Sequence, residues 1–282
     1  MSNYSRLGDF ILGLQGVAIL RNHWIDPAAV RAWTRSIAEV ATRIDEEPWS
    51  EPWHAEERTV RAQYAAWAAG YDAPGNPMVM AEEPIVHSLL ASYPVGMVLD
   101  AACGTGRHVA YLSSLGHEVI GIDCTPEMLD VAKAKTPAAR FETADLLALP
   151  LPDNAVDLAV CTLALTHFTH LGQPLAELAR VVRPGGRVVL SDVHPFMVML
   201  GSQAVDMEDD TSGFTRNYIH LHSDYLAAFQ TAGLDVVQCV EPLWSDEELT
   251  AFADIGRHVP GLLDAAVRGL PIVVVWELVK RV

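Results

Sequence analysis

In the segment VLDAACGTGRH, Val98 to His108, an apolar run ends in an acid and enters a glycine-rich turn ahead of residues with helical spacing. Gly104 and Gly106 permit positive φ and close approach of a ligand to the backbone, and the free N–H groups of the following helix suit a carboxylate or phosphate. Asp123 ends the next apolar run, HEVIGID, and lies 19 residues after Gly104. A doubly wound fold places there the acid that accepts hydrogen bonds from ribose hydroxyls. The competing readings are a ligand-free corner for the turn and an N-cap of the helix starting near Pro126 for Asp123.

Two of the 11 histidines are placed for chemistry. His167 and His194 fall just beyond the fourth and fifth expected strands, over the carboxyl ends where ligands of parallel sheets sit. An imidazole titrates near neutrality, so either would serve as a general base toward an OH or NH acceptor. A helix cap or a backbone hydrogen bond would account for His167 equally. In YIHLH, Tyr218, His220 and His222 alternate, so a strand there turns all three to one face as a substrate wall. No metal is expected: with His194 they lack a known ligand spacing, and no acid is fixed beside them.

The elements that must carry these residues start at Met97. Runs rich in β-branched residues, MVLDAA, HEVIGID, ARFETAD, VDLAVCTLA and RVVLSDV, alternate with helical segments, which implies parallel strands and crossover helices in an α/β fold. Each run is nearly continuous in apolar residues, so the sheet is covered on both faces and doubly wound. The rhythm breaks after Asp192: residues 195–217 show no period, hold the acids Glu208, Asp209 and Asp210, and read as an inserted cap. LDVVQCV and IVVVWELV supply later strands. Upstream, Phe10 to Ile44 has mostly helical spacing, with Asp26 as an N-cap ahead of Pro27 and Val30, Trp33, Ile37 and Val40 on one face. The Pro- and Trp-rich stretch Glu46 to Arg58 reads as a connector. The expected division is a helical extension, residues 1–57, acting as lid or dimer contact, and a main domain, residues 58–282.

Composition sets limits on partners. In 282 residues there are 19 Lys plus Arg and 36 Asp plus Glu, a net charge of −17 that repels a phosphate backbone and disfavours anionic membrane. The apolar stretches Phe10–Leu20 and Pro271–Trp276 fall short of the roughly 18 residues of a membrane span. Asp9 ahead of the first, and Arg21-Asn22-His23 where small residues would mark cleavage, argue against a signal peptide. The four cysteines are isolated in sequence, as reduced thiols of a cytoplasmic protein would be.

Taken in order, DAACGTG, GIDCTPEML, AD before LPLPDNAVDLAV, and RVVRPGGRVVLSDV resemble a class I S-adenosylmethionine-dependent methyltransferase, over about Met97 to Val193. ALTHFTHLGQPLAELARVVRPGG resembles the small-molecule type related to the ubiquinone and menaquinone biosynthesis enzymes. The resemblance implies a Rossmann-like seven-stranded sheet, mostly parallel, with its last strand antiparallel and S-adenosylmethionine as cofactor. It implies that Asp100, Gly104 and Gly106 hold the methionine portion, Asp123 the ribose, and Asp145 with Leu146 the adenine. Leu163 would pack near the cofactor, as would Cys124 and Met128 of GIDCTPEML. Ala102 stands where the family carries the first glycine of its turn, and a small side chain fits there.

Tyr64, Trp67 and Tyr71 share one helical face in QYAAWAAGYD, which resembles the entry segment that folds over the cofactor in those enzymes; a plain core stripe is the other reading. On this basis Tyr64 and Tyr71 are assigned to the cofactor and Trp67 to the acceptor. A dinucleotide-dependent oxidoreductase shares the strand-end acid, but Val109 replaces the third glycine of its turn. The function expected is methyl transfer to O or N of a small molecule, with a homodimer left open as a partner. A binder of the cofactor or its demethylated product without transfer is the alternative.

Overall fold

The computed structural model describes residues 3–206 and 212–282, so the acids 208–210 of the cap lie outside the described residues. In chain order the elements are β1 (Asn3–Arg6), α1 (Leu7–Asn22), α2 (Pro27–Thr42), β2 (Pro52–Glu57), α3 (Val60–Trp67), α4 (Pro77–Leu90), β3 (Met97–Ala101), α5 (Arg107–Ser114), β4 (Glu118–Asp123), α6 (Pro126–Lys135), β5 (Arg140–Thr143) and β6 (Val156–Thr162). They continue with α7 (Gly172–Val181), β7 (Val182–Val193), α8 (Pro195–Met199), β8 (Ala204–Asp206), β9 (Gly213–Thr215), α9 (His222–Ala232), β10 (Leu234–Val240), α10 (Asp246–Leu249), α11 (Ala253–His258), α12 (Leu262–Val267) and β11 (Val273–Lys280).

The main sheet has seven strands in the order β10-β11-β7-β6-β3-β4-β5. β11 runs antiparallel to both β7 and β10, and the β7-β6-β3-β4-β5 neighbours are parallel. The central apolar runs read from the sequence are buried strands, with Val98 and Leu99 of β3, Ala159, Val160 and Cys161 of β6, and Val273 to Val275 of β11 all enclosed. The edge strands β5 and β10 are instead partly covered and mostly exposed, respectively, because each has a neighbour on one side only. Two apolar cores, one on each face, confirm a doubly wound, Rossmann-like sheet. Parallel β6, β3, β4 and β5 end on one side, so the residues just past them form one ligand-facing edge.

Outside this sheet the extension and the cap build something the sequence did not foreshadow. Asp26 caps α2 as expected, accepting from the amides of Ala28 and Ala29 at 2.9 and 3.0 Å. The extension is not helical throughout, however, because β1 and β2 pair within it. β2 also runs parallel to β9, with Glu56 opposite Gly213 and Glu57 opposite Phe214. The four-stranded sheet β1-β2-β9-β8 thus joins extension and cap. Strands this short leave no readable period, and their pairing partners lie far away in sequence.

The expected strand through Tyr218, His220 and His222 is absent. After Thr215 the backbone is irregular, and α9 begins at His222. Asp224 accepts from the Leu221 amide at 2.8 Å, which fixes the helix start and takes His222 out of any alternation. All four cysteines are free. Among the described residues no helix is long and apolar enough to cross a membrane.

Candidate cofactor and active site

The turn after β3 is built by backbone conformations that favour glycine. Ala102, Gly104 and Gly106 all have positive φ, at 57, 52 and 78°. The Cys103 amide donates to Ile122 O at 2.9 Å and the Gly106 amide to Cys103 O at 2.9 Å, so the turn folds back on the end of β4 before α5 starts. Asp123 locks it: one carboxylate oxygen accepts from the Gly104 amide at 2.9 Å and the other from the Thr125 amide at 2.8 Å. Asp123 is not the N-cap of α6, a position held by Thr125; a carboxylate offers about four acceptor positions, and these two bonds use two.

The two glycines differ. A Cβ on Gly104 would meet nothing within 4 Å, so its open side faces the edge of the turn. A Cβ on Gly106 would lie 3.0 Å from the Ala132 Cβ of α6. Gly106 is thus demanded by helix packing as well as by its φ, independently of any ligand.

Beneath the turn lies Asp100, 1% exposed, with neither carboxylate oxygen hydrogen-bonded. Burial pushes its carboxyl up to about 6, against the pull of His108 and Arg107. Beside it is a network the sequence did not disclose. Glu82 of α4, fully buried, takes contacts from His108 Nε2 at 3.2 Å, Ser191 Oγ at 3.1 Å and Arg107 at 3.3 Å. Burial works to raise the Glu82 carboxyl, but His108 and Arg107 outweigh it and hold it below its ordinary value. Arg107 also bonds Glu83 at 2.9 Å. Arg107 and His108 are spent on Glu82 and Glu83, and Asp100 is left as the carboxylate without a hydrogen-bonded partner.

The aromatic segment closes over this edge. Tyr64, Trp67 and Tyr71 form one cluster, with ring centroids 5.0 to 6.0 Å apart. Asp72, one residue on, accepts from Thr105 Oγ1 in the turn and from Lys135 of α6, each at 2.7 Å. Tyr64 reaches across to His167, its hydroxyl 2.8 Å from Nε2. Nδ1 of His167 is 3.1 Å from Arg216 O, an acceptor only, so Nδ1 carries the proton and Nε2 accepts from Tyr64. Burial lowers the His167 pKa and raises that of Tyr64 well above its ordinary value. The loop bearing His167 is held by Asp192, which accepts from the Thr166 amide at 3.1 Å and the Tyr225 hydroxyl at 2.6 Å.

The remaining assigned residues divide. Leu163 follows β6 with a left-handed φ of 53°, its amide bonded to Ser191 O at 2.8 Å. Asp145 follows β5, is exposed, and turns its carboxylate to the Leu147 amide at 2.8 Å. Leu146 and Met128 are buried in the protein body and Cys124 is partly buried beside Asp123. His194 does not join His167: its Nε2 contacts Glu241 at 2.8 Å and its Nδ1 accepts from the Phe196 amide at 3.1 Å. His220 donates to Phe168 O at 2.8 Å, Tyr218 is partly exposed, and His222 sits beside His194. The three do not make one wall.

The sheet order, the left-handed turn after β3 and the acid at the end of β4 are those of a Rossmann-like α/β domain. Residues 99–190 match the family described as Methyltransferase domain. A malonyl-[acyl-carrier protein] O-methyltransferase of Yersinia pestis is 33% identical over 141 residues, 50% of this chain and 52% of that protein. A demethylmenaquinone methyltransferase of Deinococcus radiodurans is 41% identical over 104 residues, 35% of this chain and 43% of that protein. The chain thus spans about half the length of the curated relatives it matches. A solved S-adenosylmethionine-dependent methyltransferase from Mesorhizobium loti, 21% identical, superposes with a TM-score of 0.55 over 71% of this chain and 98% of that one, a likeness of fold.

Proposed function

We propose that this chain transfers a methyl group from S-adenosylmethionine to an oxygen or nitrogen of a small molecule. The observation that carries the reading is Asp100, a buried carboxylate with no hydrogen-bonded partner beneath a left-handed glycine turn. Such a group is costly unless a ligand cation completes it, and the cofactor's α-ammonium is that cation. Asp123 has acceptor positions left for the ribose hydroxyls. Gly104 gives the open approach, and Asp145 with Leu146 at the end of β5 would hold the adenine. When bound, the cofactor supplies an electrophilic methyl on a sulfonium.

The chain's own residues then align the acceptor, exclude water and take its proton. Tyr64, Trp67 and Tyr71 cover the edge, anchored through Asp72, and water exclusion with in-line positioning supplies much of the rate. His167 is neutral near pH 7 and its Nε2 faces the Tyr64 hydroxyl. Because Tyr64 resists ionisation, the proton passes in one concerted relay: Tyr64 receives it from the acceptor as its own goes to His167. His194, with both nitrogens engaged elsewhere, does not share this role.

The charge of −17 fits a small neutral or cationic acceptor better than nucleic acid, and four free thiols fit a reducing, cytoplasmic setting. Leu20, Trp24 and Ile25 at the α1–α2 tip are the exposed apolar residues a homodimer contact would use. The test is methyl-labelled S-adenosylmethionine incubated with the chain and a small-molecule extract. Label in a low-molecular-weight product supports the reading, and cofactor binding with no labelled product from any extract favours a non-catalytic binder.

A further inference from the structure

Three segments far apart in sequence meet beyond the edge of the main sheet. His194 directly follows β7, His222 opens α9 and Glu241 directly follows β10. Nε2 of His194 lies 2.8 Å and Nε2 of His222 3.1 Å from the same Glu241 oxygen. One ligand atom from each residue falls within 4.8 Å of the other two. The His222 nitrogen is buried and, despite its short approach to Glu241, makes no hydrogen bond. A nitrogen that has lost water and gained no hydrogen-bond partner is a donor atom without a ligand.

We propose that His194, His222 and Glu241 bind one divalent transition-metal ion of the zinc class. Two imidazoles and a carboxylate suit a borderline ion rather than magnesium or calcium, which prefer oxygen shells. Bonds of about 2.0 to 2.2 Å in a tetrahedron set ligand atoms roughly 3.3 to 3.6 Å apart, near the two histidine–carboxylate distances of 2.8 and 3.1 Å. The acid is hidden from sequence reading, because Glu241 reaches the histidines through the pairing of β10 with β11 and β11 with β7.

The neutral His194 ring carries its proton on Nε2, since Nδ1 accepts from the Phe196 amide. Binding moves that proton to Nδ1 and turns the Phe196 amide to water, so one hydrogen bond is given up. Three protein ligands leave a fourth position for water, as in open rather than closed zinc sites. The two histidines bracket residues 195–221, so the ion ties both ends of the cap segment to the sheet edge and removes loop-closure freedom. That segment includes Arg216, whose carbonyl holds His167.

The experiment uses tag-free, chelator-treated chain titrated with zinc by calorimetry and with cobalt by visible absorption. One ion per chain is expected, with the intense visible bands of four- or five-coordinate cobalt and a higher melting temperature on zinc addition. Glu241→Gln and His222→Gln should each weaken zinc binding about tenfold or more. Their metal-free melting temperatures report folding, and should one variant fail to fold the other decides. Exposed His170→Ala should leave binding unchanged. Absence of saturable binding, octahedral cobalt only, or wild-type affinity in both variants overturns the site.

Discussion

The hydroxyl of Tyr64 and Nε2 of His167 stand 2.8 Å apart across 103 residues of sequence, one from the helix that covers the glycine turn and one from the loop after β6. The bond has a defined direction because the Arg216 carbonyl fixes the His167 tautomer. It ties the aromatic segment to the loop after β6 as one unit.

Removing either partner should therefore produce the same defect. His167→Ala and Tyr64→Phe are each expected to lower kcat by about 10²- to 10⁴-fold with cofactor affinity retained, and the double variant to fall little further. Burial puts the His167 pKa below its usual 6.5, so activity should be level at neutral pH and fall only when acid protonates Nε2. A pH profile of kcat for wild type and both variants checks this, with the deficit of His167→Ala shrinking at high pH.

Asp100 should trade stability for binding. Its carboxyl titrates near 6 in the folded chain against 3.8 for the free side chain, so it is neutral more readily when folded. The stabilising preference for the neutral form is full below about pH 4 and lost as pH rises through about 6. At pH 7 Asp100→Asn is expected to raise apo-protein stability by roughly 1 to 2 kcal/mol, after allowing for an unsatisfied amide, while cofactor affinity falls at least tenfold. Denaturant melts of apo protein and calorimetric titration read the two effects separately.

Ala102 carries a strain that its small size does not remove. At φ 57° an L-residue costs about 1 to 2 kcal/mol, and glycine's extra freedom in the unfolded chain returns roughly 0.4 to 1 of that. Ala102→Gly should stabilise the chain by about 0.5 to 1 kcal/mol with unchanged activity, seen as a small rise in Tm.

What was legible in the sequence was local. β3, the turn and β4 are contiguous, and their apolar runs, glycines and terminal acids record this edge of the sheet within one short stretch. Tyr64, Trp67 and Tyr71 were legible as one local aromatic group, although the helical face expected for all three stops short: α3 ends at Trp67 and Tyr71 lies in the turn after it. Glu82 was not: an acid in a helix gives no sign of burial, and its partners His108, Arg107 and Ser191 come from other elements. The β2–β9 pairing and Glu241 were hidden by sequence distance. YIHLH misled because alternation over five residues cannot outweigh a helix start fixed by Asp224.

The most direct test is calorimetric titration of the chain and of Asp123→Asn with S-adenosylhomocysteine, the demethylated cofactor. One site per wild-type chain is expected. Asp123→Asn, folded by its melting profile, should lose about 1.5 to 3 kcal/mol, a weakening of roughly 10- to 150-fold for hydrogen bonds to a charged group. No binding by the wild type, or equal affinity in the variant, would contradict the assignment of this edge to a nucleoside cofactor.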